Sequence, residues 1–286
     1  MSAGSLEALE HWATPRRRAL QTYLDRLFTD ARPSEFGAMC AYPLQTGGKR
    51  IRPLFLFAAY EAAGGEDFHD VLPLAAAIEL VHTYSLVHDD LPCMDDDDER
   101  RGRPTVHVAF REDAAVLVGD ALLTEAFRQV VRTSVLTAEG IAELVALLSD
   151  YSGYRGMIGG QALDIGLGGR VTDEHGVIEV HTLKTGRLIR AAVRMGAVAA
   201  AAAPALCERL DRYARDLGLA FQLADDVLDA DEDAEDDGPP SFVRLLGVEE
   251  TRRRARSLAD QALAAVEGLD HPTLATLATF TVERAI

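Results

Sequence analysis

Apolar residues recur at intervals of three and four along most of this chain, and twice the apolar stripe runs straight into carboxylates. Leu74, Ile78, Val81 and Ser85 share one helix face that continues towards Asp89. Leu117, Ala121, Phe127 and Val131 extend the pattern, as do Ile141, Leu144, Val145 and Leu148, and then Leu217, Phe221, Ala224 and Leu228. No alternating stretch is long enough for a strand. The 45 alanines and an aromatic content of 6% also favour helix over sheet. Gly/Pro breaks fall at Gly64-Gly65, Pro92, Gly102 to Pro104, Gly166 to Gly169, Pro204, Gly238 to Pro240 and Gly268 to Pro272. Such breaks separate roughly ten helices. None is long enough to be a linker, so the expectation is an all-α, single-domain bundle over residues 1–286.

The formal charge of −17 argues against nucleic acid as a partner, because phosphate backbones need a basic face. Cys40, Cys93 and Cys207 are odd in number and far apart, which points to a reducing compartment rather than a disulfide framework. The opening MSAGSLEALEHWATPRRR lacks the apolar core of a signal peptide. The apolar run from Met195 to Cys207 is too short to span a bilayer and reads as a buried helix. A cytoplasmic protein with no transmembrane segment is the expectation.

Several familiar motifs fail. Pro43 and Arg50 stand where a Walker loop needs Gly and Ser or Thr, and there is no GxSxG, HExxH or CxxC. The run from Asp229 fails as a calcium loop, with Ala234 in place of glycine and Pro240 in place of glutamate. What remains is two aspartate-rich clusters. The first, HDDLPCMDDDDERRGRPT (88–105), packs acidic side chains that repel one another unless cations sit among them. The second, FQLADDVLD (221–229), puts Asp225 and Asp229 on one helix face, with Gln222 a turn earlier. Either cluster alone reads as a solvated surface. Two of them, each at the end of an apolar helix, could face one cavity and hold several metal ions. Hard oxygen ligands without His or Cys suit Mg²⁺, which would make a bound diphosphate a better leaving group.

The chain has 27 arginines and only two lysines, Lys49 in GGKRIRP (47–53) and Lys184 in HTLKTGR (181–187). Lysine is a compact point charge for a phosphate oxygen, and Arg52 and Arg101 could add forked contacts.

GGKRIRP, HTYSLVHDDLPCMDDDDERRGRPTVH, GDALLTEAF, GGQALDI, HTLKTGRLI and FQLADDVLD appear in that order. Together they resemble the trans-isoprenyl diphosphate synthases of the bacterial farnesyl/geranylgeranyl type, from about Gly47 to Leu228 and more weakly at SFVRLLG and LATFTVER. The resemblance implies the isoprenoid synthase fold, a helical bundle around a central cavity, usually a homodimer. It implies head-to-tail condensation of isopentenyl diphosphate with an allylic diphosphate, dimethylallyl or geranyl, using Mg²⁺, with three ions when both substrates are bound. By position it gives Asp89, Asp90, Asp95, Asp225, Asp226 and Asp229 as metal ligands. Lys49, Arg52, His82 and Arg101 match the isopentenyl diphosphate site. Arg100, Lys184, Thr185 and Gln222 match residues around the allylic diphosphate, of which Lys184, Thr185 and Gln222 act at the ionising carbon. Gln161 and Asp164 match a polar pair in the cavity wall. Tyr84 and Ser85, about one turn before Asp89, would floor the tail pocket, and an aromatic there goes with the C15 product, farnesyl diphosphate.

The sequence departs from the family after the second motif. The loop is short, Pro239 stands where a lysine is usual, and no lysine follows Lys184, leaving Arg244 as a substitute. Each lost phosphate contact would cost ~1.5–3 kcal/mol, so weaker allylic binding or slower turnover is expected. Three competing readings are a non-catalytic partner subunit of a heteromeric synthase, a geranylgeranyl diphosphate synthase, and a terpene cyclase. The cyclase would leave GGKRIRP and Arg100-Arg101 without a second diphosphate to bind.

Overall fold

The computed structural model describes residues 3–45, 47–228 and 241–283. The chain runs through α1 (Ala3–Leu24), α2 (Ser34–Ala41), α3 (Ile51–Ala62) and α4 (Leu72–Asp89). A hairpin of β1 (Glu99–Arg100) and β2 (Arg103–Pro104) follows, then α5 (Val106–Ala109), α6 (Glu112–Val131), α7 (Ala138–Ser152) and α8 (Met157–Asp164). Next come α9 (Glu174–His181), α10 (Arg187–Ala199), α11 (Pro204–Leu228), α12 (Phe242–Leu246), α13 (Val248–Val266) and α14 (Thr273–Glu283). The all-α expectation holds. The two-residue strands of the hairpin are the only strands among the described residues.

The centre of the bundle is α4, which packs against α1, α3, α6 and α10. Leu74 to Ile78, Leu80 and Val81 have no exposed surface. A helix that is apolar on all sides has to be buried on all sides. The 4-and-3 face read from the sequence is therefore only part of what α4 buries. One stretch, Phe68–Asp89, is long and apolar enough to cross a membrane, but 72% of its apolar window is buried inside the fold. A single apolar cluster extends from Leu9 on α1 to Val282 on α14.

Two sequence expectations are corrected. On α6 the buried face is Ala115, Val118, Leu122, Ala126 and Val130, which meets α4. Leu117 and Val131, expected to face the core, are 56% and 58% exposed. Apolar residues lie on both faces of this helix, and periodicity alone does not say which face α4 covers. The run from Met195 to Cys207 is not one helix either. It divides at Ala200–Ala203 between α10 and α11, with Ala201 in the left-handed region (φ 52°) and Pro204 opening α11. Proline is well suited to a helix start and poorly suited to an interior.

Candidate active site

The turn before α3 builds the first half of the site. Gly47 and Gly48 take φ of 76° and 117°, and Arg50 follows at φ 50°. This left-handed path aims the first turn of α3 and its unpaired backbone N–H groups at a cavity of about 450 Å³. Lys49, Arg52, His82, Arg101 and Glu79 line its polar side, and Ile51, Ile189, Phe221 and Phe280 its apolar side. Arg101 reaches the cavity from the β1–β2 turn. Its guanidinium donates to Gly47 O at 2.7 Å, and a Cβ on Gly48 would stand 2.5 Å from Arg101 Nη1. Arg101 and Gly102 both have positive φ, 56° and 75°, as the tightest hairpin turns require. From α1, Arg17 Nε donates to Lys49 O at 3.2 Å.

Arg50 also lines this cavity, but its guanidinium is already engaged by other groups of the protein. It is buried and pairs with Glu79, while its Nη2 donates to Leu44 O at 2.5 Å and Gln21 Oε1 at 3.0 Å. Neither Arg50 nor Glu79 was singled out from the sequence. The available signal was a lone carboxylate in the apolar stretch of α4. Burial, together with the guanidinium groups of Arg52 and Arg101, holds the His82 imidazole well below its ordinary range. His82 is therefore neutral. Arg52 Nε is buried without a hydrogen-bond partner, so the cavity holds a donor fit for an anion.

Arg52 and His82 also line a second cavity of about 530 Å³. This one is mostly apolar, with Leu91, Met94, Val116, Met157 and Ile158 in its walls. Asp89, Lys184, Thr185 and Gln161 supply its polar end, and Tyr84 and Ser85 lie in its wall. Tyr84 is 5% exposed, meets His88 edge-on at 5.9 Å, and its hydroxyl has no partner. Leu91 to Met94 fold back on themselves, with Met94 N on Leu91 O at 2.8 Å and Asp95 N on Asp89 O at 2.8 Å. This compact loop returns Asp95 beside Asp89. Burial pushes the Asp89 carboxyl up to about 6, with Lys184 opposing and Asp95 and Asp90 reinforcing the shift.

Lys184 and Thr185 sit on a π-helical turn, Thr182–Gly186, between α9 and α10. Such a turn widens the helix by one residue and recurs at functional sites. Here α8 rests directly on it, since a Cβ on Gly160 would stand 2.3 Å from Lys184 N. Lys184 Nζ donates to Asp164 at 2.5 Å, and both amide atoms of Gln161 are buried without partners. On α11, Asp225 is close enough to Arg52 to oppose the loss of its charge on burial. Asp226 turns the other way: it is buried and accepts from Phe242 N at 2.7 Å. Gln222 Nε2 lies 3.1 Å from His181 Nδ1, and no local sequence signal marks His181.

The members of each acidic pair thus differ. Asp90 is 3% exposed and pairs with Arg100, whose Nε donates to it at 2.6 Å. Arg100 Nη2 also reaches Asp97 at 3.0 Å. Asp90 lies outside the apolar cavity, among Tyr42, Thr83, Val87 and Thr105. Asp229 and Pro239 lie outside the described residues. Arg244 stands on α12 and lines neither cavity. Among the described residues no three His, Cys, Asp or Glu side chains converge closely enough to hold a metal ion alone. The donor set still fits Mg²⁺. It is all carboxylate, and Asp89 faces the apolar cavity in a setting that a cation would relieve. A bound diphosphate would complete such a coordination shell.

Comparison with known proteins shows what the chain as a whole is similar to. A polyprenyl synthetase family profile matches residues 33–242. A farnesyl diphosphate synthase of Escherichia coli (strain K12) is 40% identical over 271 residues, covering 85% of this chain and 87% of that one. The chloroplastic geranylgeranyl pyrophosphate synthase 7 of Arabidopsis thaliana is 36% identical over 268 residues, covering 89% and 77%. A geranyltransferase of Helicobacter pylori, crystallised with magnesium and isoprenyl diphosphate, superposes with a TM-score of 0.82 at 31% identity, covering 99% and 98%.

The buried neutral imidazole makes a prediction about stability. A histidine whose folded pKa lies below its unfolded value of about 6.5 lets the unfolded chain bind the extra proton. Stability is therefore lost as pH falls through about 6.5 and is fully present above it. Urea unfolding of His82→Gln at pH 7.5 and pH 5 should show a smaller difference between the two pH values than the parent chain does.

Proposed function

The chain belongs to the polyprenyl synthetase family, and on that basis we propose that it is a Mg²⁺-dependent short-chain trans-prenyltransferase. It joins isopentenyl diphosphate head to tail with dimethylallyl or geranyl diphosphate, releases diphosphate and makes farnesyl diphosphate. The observation that carries this reading is the wall formed by Arg52 and His82, with a cationic cavity on one side and, on the other, an apolar cavity that has Asp89 and Lys184 at its polar end.

In this mechanism Lys49, Arg52 and Arg101 hold the diphosphate of isopentenyl diphosphate at the N-terminus of α3, and neutral His82 donates a hydrogen bond. Asp89 and Asp95 from one side and Asp225 from the other would hold Mg²⁺. When bound, that metal neutralises the allylic diphosphate and makes it a better leaving group. Asp90 and Asp226 brace their neighbours rather than ligate. Lys184 exchanges Asp164 for a phosphate oxygen. The allylic C–O bond breaks, and the oxygen dipoles of Thr185 and Gln222 stabilise the allylic cation while apolar walls exclude water. The double bond of the second substrate, oriented by its anchored diphosphate, forms the new C–C bond. The proton then lost goes to the released diphosphate, so no protein base is needed. The three free cysteines suit a reducing cytoplasm. The exposed apolar face of α6, with Leu117 and Val131, suits a homodimer.

Purified protein with Mg²⁺, labelled isopentenyl diphosphate and C5, C10 or C15 allylic diphosphate should incorporate label into a C15 product. Asp225→Asn should lower the rate by at least about a hundredfold, since metal charge stabilisation is worth several kcal/mol. No incorporation with any primer would overturn the reading. Tyr84→Ala should shift products to C20 or longer, and an unchanged distribution would remove Tyr84 as the floor. Leu117→Arg should reduce the mass seen by light scattering from dimer to monomer.

A further inference from the structure

We infer that His181 is a positioning residue that fixes which end of the Gln222 amide is presented to the reacting carbon, by relaying the polarity of the Asp226 carboxylate. The inference rests on the proposed prenyl transfer, in which Gln222 stabilises a cation.

The geometry runs across three elements. Asp226 on α11 accepts from Phe242 N, at the start of α12, at 2.7 Å. Its Oδ2 stands 3.4 Å from His181 Nε2, at the end of α9. This is an electrostatic contact rather than an aligned hydrogen bond, and Nε2 has no other partner. On the other side of the ring, His181 Nδ1 is 3.1 Å from Gln222 Nε2. His181 is 7% exposed and stacks on Phe242 at 5.3 Å and 18° between planes. Burial and the stack hold the ring so that its two nitrogens do not exchange places.

The chemistry of these groups leaves one consistent arrangement. The Gln222 NH₂ only donates, so Nδ1, 3.1 Å from it, is the ring nitrogen that accepts. A nitrogen that accepts carries no proton, so the ring N–H is at Nε2, on the edge that faces the Asp226 carboxylate. The Gln222 NH₂ is thereby committed to His181, and its carbonyl oxygen is the end left over. The distinction matters at a cation. A carbonyl dipole attracts developing positive charge, and the NH₂ end of the same amide repels it. Gln222 stands one turn before both aspartates. Asp226 lies on the His181 side and Asp225 beside Arg52, so the amide bridges the structural and the reactive sides of α11. Without His181 both ends of the amide are equally available, and the dipole loses its sign.

Two measurements test this on the full chain. Nitrogen-15 NMR of His181 in the ligand-free protein should show the Nε2–H tautomer. Asp226→Asn, which can turn an NH₂ towards the ring, should convert it to Nδ1–H. The second measurement is Mg²⁺-dependent binding of two probes, an allylic ammonium diphosphate that mimics the cation and an unreactive allylic thiolodiphosphate that mimics the ground state. His181→Phe keeps the stack and removes the acceptor. It should weaken the ammonium probe roughly tenfold to a hundredfold, the worth of one charge-assisted hydrogen bond, and leave the thiolodiphosphate unchanged. His181→Asn, which can offer an oxygen near the Nδ1 position, should recover most of the loss. Equal loss of both probes, no loss of either, or an Nδ1–H tautomer in the parent chain overturns the relay. If His181→Phe does not fold, the tautomer in the parent chain and in Asp226→Asn decides the matter. Parent protein that incorporates no label with any primer defeats the proposed reaction instead, and the NMR result still decides the relay.

Discussion

Charge has to be carried into the middle of this bundle on a helix that is buried on almost every side, and each charge brought in must be matched there. Leu74 to Val81 make α4 the core of the fold, yet the same helix carries Glu79, His82 and Asp89. Glu79 is answered by Arg50, and breaking such a buried pair from one side costs about 3–5 kcal/mol. Glu79 also supports the charge of Arg52 and Arg101, whose guanidinium groups would otherwise repel each other around one small cavity. His82 meets the same constraint by staying neutral. Asp89 is met only in part, by the charges of Lys184 and Arg100, and burial still pushes its carboxyl up to about 6.

Neighbouring residues of like chemistry divide their work. Successive side chains on a helix point about 100° apart, so of two adjacent aspartates only one can face a given cavity. Asp89 faces the apolar cavity while Asp90 binds Arg100. Asp225 lies towards Arg52 while Asp226 ties down Phe242. Arg100 clamps the first acidic motif and Arg101 the glycine turn. A doubled residue is thus one group for the chemistry and one that keeps it in place.

The sequence was legible where a signal is local. Acidic runs ending apolar helices, and a glycine pair before Lys49, announce themselves within a few residues, and the structure brings Asp89, Lys184, Thr185, Arg52 and His82 to adjoining cavities. What stayed hidden depends on contacts between distant segments. Arg50 and Glu79 are 29 residues apart, and Gln222 and His181 are 41 apart. No spacing rule links either pair. Which aspartate of a pair is the brace follows from the partner opposite, and that partner is set by packing. The buried face of α6 is hidden from the sequence for the same reason: Leu117 and Ala115 are both apolar, and only the position of α4 separates them.

The hairpin that bears Arg100 and Arg101 has a consequence for how such a chain can diverge. Its strands are two residues each, with Arg100 opposite Arg103 and Glu99 opposite Pro104, and its turn is Arg101-Gly102. Side chains alternate along so short a ribbon, so inserting or deleting one residue before the turn would exchange the directions of the two arginines. Each would then meet the other's partner. The walls of the tail pocket can drift one side chain at a time, but the stretch from Asp95 to Arg101 can change composition far more readily than length.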